Sequence, residues 1–373
     1  MRLEVQILPK KQIEVCCKLA VHSSEYCFAM LDSLHVCSFF NNGRRIDPIL
    51  VEACRLHFRP PMKKYAFSGL QPGELTFCYT GELKGFFLFM QDALCHFSFY
   101  NAWYPMGFDA EESYEVVIRQ DQSKTLLNGV YEQASSSWRY CAENQAFSDC
   151  NILLYDPQHC TCIENDAVCM LFFDKQFQSM ASTIADSYMA VVQFYSKLYA
   201  RSPGARHTIV FLPQGKNCPG AYIRENMIVL GETYQDARRI LHLLAHELGH
   251  TYAAGADTES WEDWLNETHA EWSALLYTLE TAPELFEILI SELRACEDGN
   301  GFSLRPNGDD RPQNVHTCGT RLYYDIYQQY GCDAIKMLLR TYAQLKTKKT
   351  ACFLKAVLEK STEIAAIIGT ACK

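Results

Sequence analysis

Up to about residue 165, apolar and polar positions alternate in short segments rich in β-branched and aromatic residues. A period of two predicts strands with one face buried. The segments are Arg2 to Leu8, Tyr26 to Leu31, His35 to Phe40, Glu74 to Tyr79, Lys84 to Phe89, Tyr114 to Ile118 and Asn151 to Tyr155. Asn41-Asn42-Gly43, Gln71-Pro72-Gly73 and Tyr79-Thr80-Gly81 mark turns. Several short strands without a long helix predict a β-sandwich.

The rhythm changes near Phe172. Phe177 to Tyr199 carries a helical period, followed by strands at Arg206 to Leu212 and Met227 to Leu230. Helices are predicted from Ala237 to Tyr252, from Trp264 to Leu279, and from the Thr281/Pro283 start to about Cys296. Asp298 to Gln313 is rich in Gly, Pro and Asp and reads as a long loop, either shaping a site or inserted at the surface. Gly319 to Tyr330 and Asp333 to about Leu345 read as helices divided at Gly331, and a last helix covers about Phe353 to Ile368. The predicted class is α+β, with a β-sandwich domain at 1–168 and a mixed, largely helical domain at 169–373.

The chemistry concentrates in two segments. Residues 246–250 read His-Glu-Leu-Gly-His, and Trp264-Leu265-Asn266-Glu267 follows. On a helix, His246 and His250 are one turn apart on one face, so both imidazoles can bind one metal ion. Glu267 is the best candidate for a third ligand. Two His and one Glu leave an open position on a tetrahedral zinc, as hydrolysis requires. Glu247 is placed to act as a general base. Glu271, one turn beyond Glu267, can accept the other ring N–H of a zinc histidine. Thr233 with Asp236, and Ser260 with Asp263, fit helix caps. Ile240, Leu243, Leu244 and Leu248 give the first helix an apolar side. His269 points to another face and reads as a surface or packing residue. The competing reading of the pentapeptide is coincidence on a core helix, which needs no second carboxylate helix.

A net charge of −10 and the lack of a basic tract argue against a nucleic-acid partner. No apolar run is long enough to span a bilayer, and the start does not read as a signal peptide, so a cytoplasmic, non-membrane protein is expected. The eighteen cysteines are scattered, several of them in apolar stretches, as Cys78, Cys95 and Cys169 are. Buried, reduced thiols are expected.

The segment His246 to His250 followed by Trp264-Leu-Asn-Glu267 resembles the gluzincin metallopeptidases, specifically zinc aminopeptidases of the aminopeptidase N type. Here the gap between the two motifs is two residues shorter than in that family. Val315-His-Thr-Cys-Gly319, a helix, and Tyr330-Gly331 are similar to the family stretch V-Y-x-K-G, helix, L-G. Gly73 to Gly81 and Trp103-Tyr-Pro105 are similar to strands of its amino-terminal sandwich. The resemblance does not extend to the family's large helical carboxy-terminal domain. The resemblance implies a thermolysin-like catalytic domain at 169–373, one Zn²⁺ per chain and a peptide substrate.

Two departures accompany it. The family's G-x-M-E-N strand, whose glutamate holds the substrate amino group, corresponds to Gly220-Ala-Tyr-Ile-Arg-Glu-Asn226 at a different spacing. Glu225 is the candidate for that role, or else a strand-end charge. His316 stands where the family has a tyrosine and is the implied oxyanion donor, with Tyr323 behind it. Tyr323, Tyr327 and Tyr330 share a helix face, so core packing is the competing role. The expected function is peptide hydrolysis with Glu247 as general base, most naturally by an aminopeptidase. The alternative is a non-catalytic, zinc-bearing scaffold or peptide-binding module.

Overall fold

Alternation along the chain builds strands buried on one face. In Gln12–Val21, the side chains of Ile13, Val15, Cys17, Leu19 and Val21 are buried, while Gln12, Glu14, Lys18 and Ala20 face outward. The structure is a computed structural model. It describes every residue except 108–110, 147–149, 165, 167, 174, 203–205, 214–217, 219, 225–226, 232–235, 296–302 and 307. No described helix is long and apolar enough to cross a membrane. The chain divides into two compact units: Met1–Thr161 with Gly215–Pro219, and Cys162–Gln214 with Gly220–Lys373.

The first unit contains an eight-stranded sheet. Its strand order is Val130–Glu132, Ser137–Ala146, Glu111–Arg119, Arg2–Leu8, Gln12–Val21, Gly73–Glu82, Leu34–Asn41 and Arg44–Ile46. Only Arg2–Leu8 with Glu111–Arg119 pairs in parallel. A three-stranded sheet of Tyr26–Leu31, Met62–Phe67 and Leu50–Cys54 lies across it. Phe28 of the small sheet stacks on Phe77 of the large one at 5.3 Å between ring centroids, and Phe39 meets Phe67 at 5.0 Å. Sheet-on-sheet packing through aromatic side chains makes this unit a sandwich.

Three expectations change. Tyr79-Thr80-Gly81 is not a turn but the end of Gly73–Glu82, where a Cβ on Gly81 would overlap the Ser33 carbonyl oxygen. Lys84 to Phe89 is not a strand, since left-handed backbone at Gly85 and Phe87 turns the chain before Phe89–Gln91 begins. The cysteines are not all thiols. Cys16 and Cys78 face each other across neighbouring strands, with 4.2 Å between their Cα atoms, and form a disulfide. Among the other described cysteines, Cys17, Cys95, Cys150, Cys218 and Cys318 are buried.

The second unit is built on a five-stranded sheet ordered Thr161–Glu164, Val168–Phe172, His207–Phe211, Met227–Leu230 and Ala221–Arg224. Three inner strands are parallel, and Ala221–Arg224 is an antiparallel edge. The helices are α1 (Ala181–Tyr199), α2 (Ala237–His250), α3 (Trp264–Thr281), α4 (Pro283–Ala295), α5 (Val315–Gln344), α6 (Thr350–Leu358) and α7 (Thr362–Ala371). α5 is two helical segments joined at Gly331, which has φ +74°. The last predicted helix is two helices, because Ser361 starts α7 by accepting a hydrogen bond from the Ile364 backbone N–H.

α3 is buried on nearly every side and lies between α2 and α5. Both contacts are glycine-close. A Cβ on Gly319 of α5 would overlap Thr268 Oγ1, and one on Gly249 of α2 would stand 2.9 Å from the Ala270 Cα.

Candidate metal centre

α2 starts where the sequence places a cap. The Asp236 carboxylate accepts from the Arg238 backbone N–H at 2.9 Å. Thr233, its expected partner, lies outside the described residues. Ile240, Leu244 and Leu248 are buried, and Leu243 is partly buried. The opposite stripe carries His242, His246 and His250 at four-residue spacing.

Ahead of α3, Ser260 caps the short 3-10 helix Trp261–Asp263 by accepting from the Glu262 backbone N–H. Asp263 makes no cap. Its buried carboxylate instead takes Arg311 Nε at 2.7 Å and Asn266 Nδ2 at 2.8 Å. Asn266 also pairs with both backbone groups of Ala256, at 3.1 and 3.0 Å, fixing the entry to α3.

The two helices bring His246, His250 and Glu267 together, with one candidate ligand atom from each all within 4.8 Å of one another. Glu267 Oε2 lies 3.5 Å from His246 Nε2 and 3.8 Å from His250 Nε2. The Nδ1–H of His246 is already donated to Glu271 Oε2 at 2.8 Å, which leaves Nε2 as the free ligand atom. Two imidazole nitrogens and a carboxylate oxygen, partly buried and backed by a second carboxylate, match a hydrolytic zinc donor set.

Burial pushes the Glu247 carboxyl up to about 7. It likewise pushes His250 down to about 4. Burial also works against the charge on Glu267, but the surrounding histidines outweigh it and hold this carboxyl well below the usual range. Arg224, at the end of the edge strand Ala221–Arg224, is a further positive neighbour of Glu247 and His250.

His316 is brought to the cluster. It sits in the first turn of α5 rather than before a helix, and its Nδ1 lies 2.9 Å from Glu267 Oε2. Tyr323 is not brought there. It is fully buried, and its hydroxyl lies 3.0 Å from His269 Nε2. His269 is itself buried, with Nδ1 2.6 Å from the Leu265 carbonyl and its ring stacked on Tyr342. It is a packing residue, not a surface one. A helix face told which tyrosines share a stripe, but not that α3 covers it. Glu225 lies outside the described residues. Arg224 and His242 are the additions. The repeat of His at 242, 246 and 250 was the available signal for the latter.

No family model matches this sequence, and no curated protein sequence matches it. Known folds do. Native leukotriene A4 hydrolase from Saccharomyces cerevisiae superposes with a TM-score of 0.67 at 15% identity, covering 99% of this chain and 65% of that one. The likeness is one of fold. Yeast LTA4 hydrolase in complex with bestatin gives 0.65 at 16% identity, covering 98% of this chain and 65% of that one. This chain therefore spans 65% of the length of these neighbours. The α+β class and the order of sandwich then helical unit agree with the sequence expectation.

Proposed function

We propose that this chain is a zinc-dependent metallopeptidase, with His246, His250 and Glu267 as the ligands and Glu247 as the general base. The observation that carries the reading is the convergence of those three side chains beside a buried Glu247. A structural metal has no use for such a carboxylate. That the neighbouring fold is a hydrolase, one copy holding bestatin, supports the same reading.

A zinc ion held there would supply Lewis acidity to a peptide carbonyl and to water. The chain's own residues do the rest. Glu247 takes the proton from the attacking water and passes it to the leaving nitrogen, and a carboxyl near neutrality suits both halves of that task. Glu271 holds the His246 ring by its Nδ1–H. Against the cost of burial, the Glu267 carboxylate raises the His316 pKa, and the protonated ring donates to Glu267 from Nδ1 and offers its Nε2–H as the candidate donor to the developing oxyanion. Following the resemblance, the substrate is the amino-terminal end of a peptide, with Glu225 as candidate for its amino group.

Zinc content and hydrolysis should be measured together on the purified chain, using a peptide library with free and blocked amino termini. About one zinc per chain with cleavage of free-terminus peptides, inhibited by bestatin, is expected. Cleavage of blocked peptides equally well would make it an endopeptidase. Stoichiometric zinc with no cleavage would leave the zinc-bearing binding module.

A further inference from the structure

The facing surfaces of α2 and α3 carry a polar ladder longer than the three candidate ligands. His250, His246 and His242 descend α2. Glu267, Glu271 and Thr278 rise along α3. The rungs are His250 with Glu267, His246 with Glu267 and Glu271, and His242 with Glu271 and Thr278. The last rung lies beyond any ligand atom. His242 Nε2 is 3.1 Å from Glu271 Oε1, and its Nδ1 is 2.9 Å from Thr278 Oγ1.

An ionised carboxylate only accepts, so Nε2 of His242 donates to Oε1 of Glu271. The other oxygen of the same carboxylate takes the Nδ1 proton of His246 at 2.8 Å. Glu271 is thus held at both oxygens, one by each imidazole. A glutamate has three side-chain torsions to fix, and one hydrogen bond leaves the carboxylate free to swing about it. Two bonds from neighbouring turns of one helix remove that freedom. The ring of His246 is then fixed in tautomer and direction. Packing alone does not call for histidine at 242, because a polar pair in a helix interface can be replaced by apolar groups at little cost.

We propose that His242 is a positioning residue of the metal centre: it locks the Glu271 carboxylate, and through it the ring of His246 that presents Nε2 to the metal. This rests on the zinc reading of the site and adds an outer member to it.

The test is the zinc dissociation constant, read by competition with a chromophoric chelator, together with the thermal melt of the metal-free chain. His242→Leu should weaken zinc binding by about tenfold, the lower end for loss of an outer partner. His242→Gln keeps a donor near the Nε2 position and should restore binding to within about threefold of wild type on the same scale. In a Glu271→Gln background, His242→Leu should change nothing further, since the carboxylate it acts through is gone. Equal affinity in His242→Leu and wild type would overturn the proposal, as would equal losses in His242→Leu and His242→Gln. So would a full additional loss in the Glu271→Gln background. If His242→Leu also melts early, the comparison of His242→Gln with wild type and the Glu271→Gln background still decide. A wild-type chain that takes up no zinc would instead defeat the metal-centre reading itself.

Discussion

Gly249 and Ala270 touch backbone to backbone, and a Cβ on Gly249 would stand 2.9 Å from the Ala270 Cα and 3.0 Å from its carbonyl oxygen. This contact sets the gap between α2 and α3, and hence the reach from His246 and His250 to Glu267. In an ordinary helix, glycine to alanine stabilises by about 0.5–1 kcal/mol. Here the new methyl meets backbone, which cannot swing aside, and overpacking costs about 1–3 kcal/mol. Gly249→Ala should therefore lower the melting temperature and weaken zinc binding together. Gly369→Ala in α7, where a Cβ meets nothing within 4 Å, should raise the melting temperature slightly. A Gly249→Ala chain as stable as wild type would show that the helices separate freely.

Glu247→Gln removes the proton carrier while keeping the shape of a buried side chain next to His246. Fold and zinc content should be retained. Hydrolysis should fall by about 10²–10⁴-fold, the usual contribution of a general acid–base group. Turnover close to wild type would take Glu247 out of the mechanism.

The ligand spacing was legible because a helix converts sequence separation directly into geometry: four residues put His246 over His250, and four more separate Glu267 from Glu271. What was not legible depends on which element covers which. Tyr323 lies on a stripe that the sequence shows, but only the packing of α3 onto it turns that stripe into core. Gly249 is one unremarkable position inside a motif until Ala270 is seen against it. The strand Gln12–Val21 alternates well yet has no predicted counterpart, because Cys16, Cys17 and Lys18 interrupt its β-formers. Asp263 reads as a cap by position, and only the return of the chain at Arg311 shows its actual partner.

Arg311 and Asp263 form an ion pair whose side chains are 5% and 1% exposed. Removing one partner of a buried pair costs about 3–5 kcal/mol, so Arg311→Met should be strongly destabilising near pH 7.5. Burial, then the charge of Glu267, pushes the Asp263 carboxyl up to about 6 even with Arg311 present. A raised carboxyl binds its proton more tightly in the fold than in the unfolded chain. Stability from this group is therefore gained as pH falls from about 6 toward the ordinary value of 3.8. Without Arg311 the window should move upward. Urea melts of metal-free protein should show the Arg311→Met deficit shrinking between pH 7.5 and 5.5. A deficit that is constant over this range would mean that Asp263 does not titrate there.

Tyr323→Phe separates packing from chemistry. The hydroxyl lies on His269 Nε2 in the core, and its loss leaves a buried ring nitrogen without that partner. Stability should drop by about 1–3 kcal/mol. kcat and KM should remain near wild type. A large loss of kcat with an unchanged melt would return Tyr323 to the mechanism.

His316 is the residue whose expected phenotype the structure alters most. An oxyanion donor alone would change kcat and leave the metal untouched. Here Nδ1 is 2.9 Å from Glu267 Oε2, so the ring also holds a candidate ligand. The two roles use different nitrogens and can be separated by side-chain shape. His316→Phe removes both. It should lower kcat by about two to three orders of magnitude, as expected for a lost oxyanion donor, and weaken zinc by about tenfold, as expected for a lost ligand partner. His316→Asn places an amide near the Nδ1 position and nothing at Nε2. It should keep zinc close to wild type while kcat still falls. KM should move little in either variant when measured at saturating zinc, because the oxyanion bond strengthens mainly in the transition state. If His316→Phe keeps both zinc affinity and turnover, the contact with Glu267 is incidental. If His316→Asn restores turnover along with zinc, His316 acts only by holding Glu267, and the oxyanion donor is another group.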